Sequence, residues 1–409
     1  MKRTPLRASL LITACITLLL IAGGIGAPTL GALPVSPAAL SAVTDASPSA
    51  PARRPVNVIL FIGDGMGYGQ LSLGAPAIAC MPIQTRVTTH ALGGAVTDSA
   101  AAATAMATGH KTTRRHVGVD EFGRRLTTVL EAVRDAGGLT GLVTNAALTS
   151  ATPAAFAAHV SDRRSTRIIA AQMVETRPDV MLGGGAADFL PGTYDRSHPP
   201  LEQAKDAGYE VVFDSASLAA AQRLPLLGLF AGDSLDYHLA RDPAQQPSLA
   251  QMTAKAIELL SAAADQAATA TAAGRLGFFL VVENDLIDIA CHDNDALILP
   301  TEVTALDEAV AVALEFSRTD GRTLVLVTAD HETGMVTVDE RGEISFGSDE
   351  HSAWEVPLFA EGPGQDLFDV DLIDNTDIAM LIAQALGLYS TFVETPSNSA
   401  ATPAIAGAR

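Results

Sequence analysis

The sequence predicts an α/β fold, a three-layer sandwich with a mostly parallel central sheet flanked by helices. Short, continuously apolar runs recur along the chain, as expected of strands covered on both faces. Helical patterns lie between these runs, and the alternation of the two builds a layered parallel sheet. Hydrophobic residues make up 48% of the 409 and charged residues only 18%, so a large core is expected.

Taken in order, the expected strands are Val56–Ile62, Leu139–Thr144, Val180–Leu182, Glu210–Phe213, Leu226–Phe230, Phe278–Val282, Leu324–Thr328 and Val356–Ala360. Helical periodicity marks Thr127–Asp135, Gln251–Ala273 and Thr301–Phe316. A short hairpin, Met335–Asp339 with Glu343–Phe346, turns at Arg341-Gly342 and leaves no room for an inserted domain between His331 and His351.

The ends differ from the body. Residues 1–27 have the layout of a signal peptide, with Lys2, Arg3 and Arg7 before the apolar run Leu10–Ile25. An uncleaved anchor is the rival reading, but the run is short for a span and Gly23, Gly24 and Gly26 weaken it. Residues 28–54, rich in Pro, Ala and Ser, read as a flexible leader, with cleavage expected somewhere in 27–50. Residues 394–409 read as a disordered tail, which leaves 55–393 as the folded domain of an exported, periplasmic or extracellular protein. Cys80 and Cys291 would then remain, either as a pair or as two inert buried thiols.

A formal net charge of −20 disfavours docking on nucleic acid or on an anionic membrane. It would repel any anionic ligand as well. A site for anions on such a chain needs a local positive field, and bound metal ions are the obvious means.

In an open parallel sheet, functional groups collect beyond the carboxyl ends of the strands. Three strands here end in such groups: Asp64 after Val56–Ile62, Glu283 after Phe278–Val282, and Asp330-His331 after Leu324–Thr328. One aspartate at a strand end is usually a turn or a cap. Three strands converging are harder to explain that way. A helix starting near Leu286 would put Asp288 and His292 four apart on one face, suited to one metal ion, with His331 and His351 on segments that can converge.

Thr97-Asp98-Ser99 precedes a run of small helix formers closed by Gly109. Thr97 or Asp98 can cap this helix and place Ser99 in its first turn, where a phosphate meets free N–H groups and the positive dipole end. A serine nucleophile there needs a base or a metal. A plain capped alanine helix fits the segment equally well. Thr152-Pro153 opens another helix, and Arg163, three turns along it, could grip a phosphate bidentately or simply face solvent.

Together these segments resemble the alkaline phosphatase family. The matching pieces are NVILFIGDGMG, TDSAAAATAMATGHKT, ATPAAFAAHVSDR, VENDLIDIACHDND, VTADHETG and EHSAWEVPLFAEGP, in family order from Asn57 to Pro363. The resemblance implies hydrolysis of small-molecule phosphate monoesters, with broad specificity, through a phosphoserine on Ser99. It implies one Zn2+ on Asp288, His292 and His351, and a second on Asp64, Asp330 and His331. It implies a Mg2+ on Asp64, Thr152 and Glu283, and Arg163 as the phosphate clamp. The donor types agree, since oxygen-only sets suit magnesium and mixed histidine–carboxylate sets suit zinc. Ser150 and Ile289 depart from the pattern, because many members carry ionisable residues there. The insertion that many members have before the last histidine is reduced here to the hairpin, which leaves monomer or homodimer open.

Sulfatases of the wider superfamily carry a Cys/Ser-x-Pro-x-Arg motif, and Ala100-Ala101-Ala102 after Ser99 excludes it. Related diesterases generally lack the third metal site, so Thr152 with Glu283 favours the monoesterase. A noncatalytic phosphate- or metal-binding protein would have no need of Ser99 among the ligands.

Overall fold

The structure is a computed structural model, and it describes residues 54–191, 198–270 and 276–393. The expected signal peptide and tail, and nearly all of the leader, lie outside the described residues. Fourteen strands appear in chain order: β1 (Asn57–Gly63), β2 (Ile83–Thr88), β3 (Leu139–Ala147), β4 (Val180–Gly184), β5 (Glu210–Val212), β6 (Leu226–Leu229), β7 (Phe278–Asn284), β8 (Thr323–Thr328), β9 (Glu332–Thr333), β10 (Thr337–Val338), β11 (Ile344–Ser345), β12 (His351–Ser352), β13 (Val356–Glu361) and β14 (Leu372–Asp374).

Ten of them form one sheet in the order β14-β2-β13-β8-β1-β7-β3-β4-β6-β5. Every pairing is parallel except those of β13, which runs against both β8 and β2. The sheet is therefore the mostly parallel one the apolar runs predict. The central strand β1 is buried at every residue, and Val58–Ile62 is fully enclosed. Such a strand needs cover on both faces, and two helix layers supply it. The helices Leu249–Ala270 and Leu299–Asp320 pack together against β3, β7, β8 and β1. The helices Ser99–Thr108, Val129–Asp135, Ala151–Ala157 and Asn375–Leu386 pack on one another and on β1, β3 and β7.

The sequence reading missed β2, β14 and the helix Asn375–Leu386. It also placed the hairpin arms too long, since β10 and β11 pair over two residues each. Cys80 is exposed and Cys291 buried, and both are free thiols, so the pair does not form. Among the described residues no helix is long and apolar enough to cross a membrane.

Candidate active site

Asp64 follows β1 directly, and its N–H donates to Asn284 O at the end of β7 (3.0 Å). Gly65 then turns with φ +71°, and a Cβ on it would stand 2.7 Å from Asp288 Oδ1. Only glycine takes that conformation at no cost and leaves the neighbouring carboxylate its room. Glu283 is the penultimate residue of β7, and Asp330-His331 follow β8. Because β7, β1 and β8 are adjacent and parallel, their carboxyl ends deliver these groups side by side.

The short antiparallel pair β9–β12 then folds His351 back onto the same edge, with His351 opposite Thr333 and Ser352 opposite Glu332. The rings of His331 and His351 stack at 3.6 Å. In the helix Leu286–His292 the four-residue spacing brings His292 Nε2 to 3.2 Å from Asp288 Oδ2, and it lies 3.1 Å from His351 Nε2. The far ring nitrogens are oriented by backbone carbonyls, His292 Nδ1 by Asp349 O (2.6 Å) and His351 Nδ1 by Thr97 O (3.0 Å). Such outer contacts fix the ring face that a ligating histidine presents.

Three sets of side chains each bring their ligand atoms within 4.8 Å of one another: Asp64, Asp330 and His331; Asp288, His331 and His351; and Asp64, Glu283 and Asp285. Thr152 Oγ1 lies 3.5 Å from Asp64 Oδ2 beside the last set. The residues fit divalent cations on two grounds. Asp64 Oδ1, Asp330 Oδ2 and Glu283 Oε1 are buried and accept no hydrogen bond from the described residues, which is costly unless a cation meets them. The acidity of the cluster says the same. Burial, then the Asp330 carboxylate, pushes Asp64 well above the usual carboxylate range. Burial, then Asp285, pushes Glu283 up to about 8, and burial with Asp288 pushes Asp330 up to about 7. Asp288 stands apart. Burial would raise it, but the His292 hydrogen bond together with the charges of His331, His292 and His351 outweighs that and holds it at about 2, while the same bond lifts His292 to about 9.

Ser99 opens its helix with Asp98 as the cap, whose side chain accepts from Ala101 N (3.1 Å) and from Arg115 N. The Ser99 hydroxyl is 3.5 Å from His331 Nε2 and 3.4 Å from Arg163 Nη1. Arg163 is not three turns along the helix that begins near Thr152. That helix ends at Ala157, where Thr128 and Thr176 hydroxyls take the Phe156 and Ala157 carbonyls. Val160 then bridges to Val117, and Arg163 sits on the following turn, its N–H donating to Arg115 O (2.9 Å). A turn, rather than a helix face, aims the guanidinium at Ser99.

The sequence reading passed over several participants. Thr144 donates to Glu283 Oε2 (2.5 Å), Thr333 to Asp288 Oδ1, and Asn145 braces both Asn284 and Asp285. Asp285 had a signal, an acid two residues beyond Glu283 at a strand end. The threonines and Asn145 have none, since only tertiary pairing brings them in.

A mostly parallel α/β sheet that gathers carboxylates and imidazoles around one serine at its carboxyl edge has the makings of a hydrolase whose acidic cluster can hold cations. The comparisons narrow this class. The model of the family described as alkaline phosphatase matches residues 55–348. A streptomycin-6-phosphate phosphatase of Streptomyces griseus is 36% identical over 87% of this chain and 95% of its own length. The alkaline phosphatase of Escherichia coli strain K12 is 35% identical over 85% and 89%. The solved alkaline phosphatase of the Antarctic bacterium TAB5 superposes with a TM-score of 0.74 at 29% identity, covering 82% of this chain and 99% of that one. The chain belongs to the alkaline phosphatase family and is a hydrolase of phosphate monoesters.

Proposed function

We propose that the protein is an exported alkaline phosphatase that transfers the phosphoryl group of a monoester to Ser99 and then to water. The observation that carries this reading is the placement of Ser99 Oγ in a helix's first turn, between Arg163 and His331 and beside three buried carboxylates that each keep one oxygen without a hydrogen bond from the described residues. Asp288, His292 and His351 would hold one Zn2+, Asp64, Asp330 and His331 a second, and Asp64, Thr152 and Glu283 a Mg2+. Ions bound there depress the pKa of the Ser99 hydroxyl and neutralise charge on the phosphoryl and leaving oxygens.

The chain's own residues do the rest. Arg163, its guanidinium 3.7 Å from Asp98 Oδ2, grips two phosphoryl oxygens and holds phosphorus in line with Ser99 Oγ. The helix N-terminus adds N–H groups and a positive dipole end to the same oxygens. An Oγ–P bond forms as the alcohol's P–O bond breaks, the serine proton going to solvent and the departing alkoxide taking one up; water then attacks phosphorus, the P–Oγ bond breaks, and Ser99 and inorganic phosphate are released. The test is hydrolysis of a chromogenic phosphate monoester against the matching sulfate and diester, with and without chelator, in the native protein and in Ser99→Ala. Turnover should fall by at least about a thousandfold in Ser99→Ala, as when other serine nucleophiles are removed. Near-native turnover in that variant would refute the assignment.

Broad specificity is the first reading. A dedicated enzyme is the second, and one observation favours it. A cleft of about 430 Å³ beside Arg163 and Ser150 is walled by Asp188 and Asp233 and by Arg115 and Arg164, so an alcohol carrying several polar and charged groups finds partners there. The Streptomyces griseus relative bears the name of such a substrate, an aminoglycoside phosphate. A substrate panel that includes streptomycin 6-phosphate separates the two readings. Export is tested by sequencing the N-terminus of protein recovered outside the cytoplasm.

A further inference from the structure

Asp285 lies just past the end of β7, one residue beyond Asn284, and begins the helix Leu286–His292. Its side chain makes no capping hydrogen bond to that helix. No described residue donates to its carboxylate, although the residue is only 9% exposed. What holds it is its backbone. Its N–H donates to Asn145 Oδ1 (2.9 Å), Asn145 Nδ2 donates to Asn284 Oδ1 (2.8 Å), and Asn284 Nδ2 donates to Glu302 O (2.9 Å). The carboxylate is thus placed by a brace of amides on its backbone and receives no hydrogen bond from the described residues.

Its ligand oxygen lies within 4.8 Å of those of Asp64 and Glu283. A group of acids alone says little. Here Asp64 Oδ1 and Glu283 Oε1, on side chains 1% exposed each, are also buried without any hydrogen bond. Three carboxylates with free lone pairs, a threonine hydroxyl and no histidine make an all-oxygen set, the chemistry of a hard divalent cation.

We propose that Asp285 is a further carboxylate of the Asp64–Glu283–Thr152 site, held by Asn145 and Asn284, and that it sets that site's affinity for Mg2+. This rests on the three-ion reading above. Its charge adds to those of Asp64 and Glu283, so it strengthens cation binding and worsens repulsion when the cation is absent. The substitution Asp285→Asn keeps the shape and the backbone bond to Asn145 while removing the charge.

The full chain is stripped with chelator, reloaded with Zn2+, and titrated with Mg2+ by calorimetry. Native protein should take up a third ion, and Asp285→Asn should bind it about 10–100-fold more weakly, as for other groups that support a metal site. The metal-free variant should melt at a higher temperature than metal-free native protein. Equal Mg2+ affinity in the two proteins would overturn the proposal. So would weaker binding accompanied by a lower metal-free melting temperature, which would make Asp285 merely structural. Failure of the native protein to bind any ion beyond zinc would bring down the three-ion reading itself.

Discussion

Arg163 is the guanidinium within reach of the Ser99 hydroxyl, at 3.4 Å, and it is 30% exposed at its side chain. Truncation in Arg163→Ala removes a charge-assisted pair of bonds, which costs about 1.5–3 kcal/mol, or roughly tenfold to hundredfold in kcat/KM. Arg163→Lys should recover little, because a point charge cannot reproduce the planar fork. Steady-state kinetics on a monoester checks both, and a full recovery by lysine would remove the bidentate role. Ile289 follows Asp288 and is 38% exposed, so it brings no charge to this edge of the site. Ile289→Lys has room to extend, and it should tighten inhibition by inorganic phosphate by about 1 kcal/mol, roughly fivefold. Turnover should slow with it if product release is limiting. An unchanged inhibition constant would show that this position does not face the phosphate.

The helix Val129–Asp135 shows what a single element contributes to the frame around the site. Thr128 and Glu131 form a reciprocal capping box, Thr128 N donating to Glu131 Oε2 (3.0 Å) and Glu131 N to Thr128 Oγ1 (3.1 Å). Glu131 is buried, which would raise its pKa, but His159, the Thr128 N–H and Arg125 together hold it near 2. A depressed carboxyl contributes stability that is present above its unfolded value, about 4.3, and is lost as pH falls through the folded one. Glu131→Gln should therefore be destabilised by about 1–3 kcal/mol at pH 7. Its deficit should shrink as pH drops from about 4.5 towards 2, followed by denaturant unfolding at each pH. A deficit constant across that window would show that the charge is not what the capping box uses. Elements of this kind were legible where their pattern is strong. The apolar cores of β1, β3, β7 and β8 stood out because buried parallel strands have no polar face. By contrast β2, Ile83–Thr88, alternates buried and exposed residues with Gln84 and Arg86 outward, and β14 has only three residues, too few for a period. The antiparallel course of β13 is also invisible in its apolar run, since direction is set by partners rather than by composition. Arg163 was legible as a residue but not in its setting, because the Thr128 and Thr176 bonds at the helix end and the Val117–Val160 bridge after it are long-range pairings.

The site is also a joint of the whole molecule. Side chains from the ends of β1, β7 and β8, from the helices Ser99–Thr108 and Leu286–His292, and from the β9–β12 pair meet within a few ångströms. The segment from Glu332 to Ser352 is held weakly otherwise. Its four strands are two residues long, and from Thr337 to Glu350 most of its residues are exposed or half-buried. At its root Gln70 Nε2 donates to Glu332 Oε1 (3.1 Å) and to Thr333 O (2.6 Å), and Ser352 donates to Glu332 Oε2. Beyond these, Thr333 on Asp288 Oδ1, the Asp349 carbonyl on His292 Nδ1 and the His351 ring tie it to the catalytic edge. Cations that bind the folded chain and not the unfolded one stabilise it by about 4 kcal/mol each at a thousandfold excess over Kd. Several such ions in one cluster should raise the melting temperature by on the order of 10 °C for a domain of this size. Chelation should therefore abolish turnover and lower the melting temperature together. It should also loosen one region ahead of the rest, with amide exchange and proteolytic cleavage rising first between residues 334 and 350. The central strands should keep their protection, because their burial does not depend on the ions. Re-addition of Zn2+ and Mg2+ should restore protection and turnover in step. A metal-free protein that melts at the native temperature, or whose 334–350 segment exchanges no faster, would show that the cluster does not tie these elements through cations.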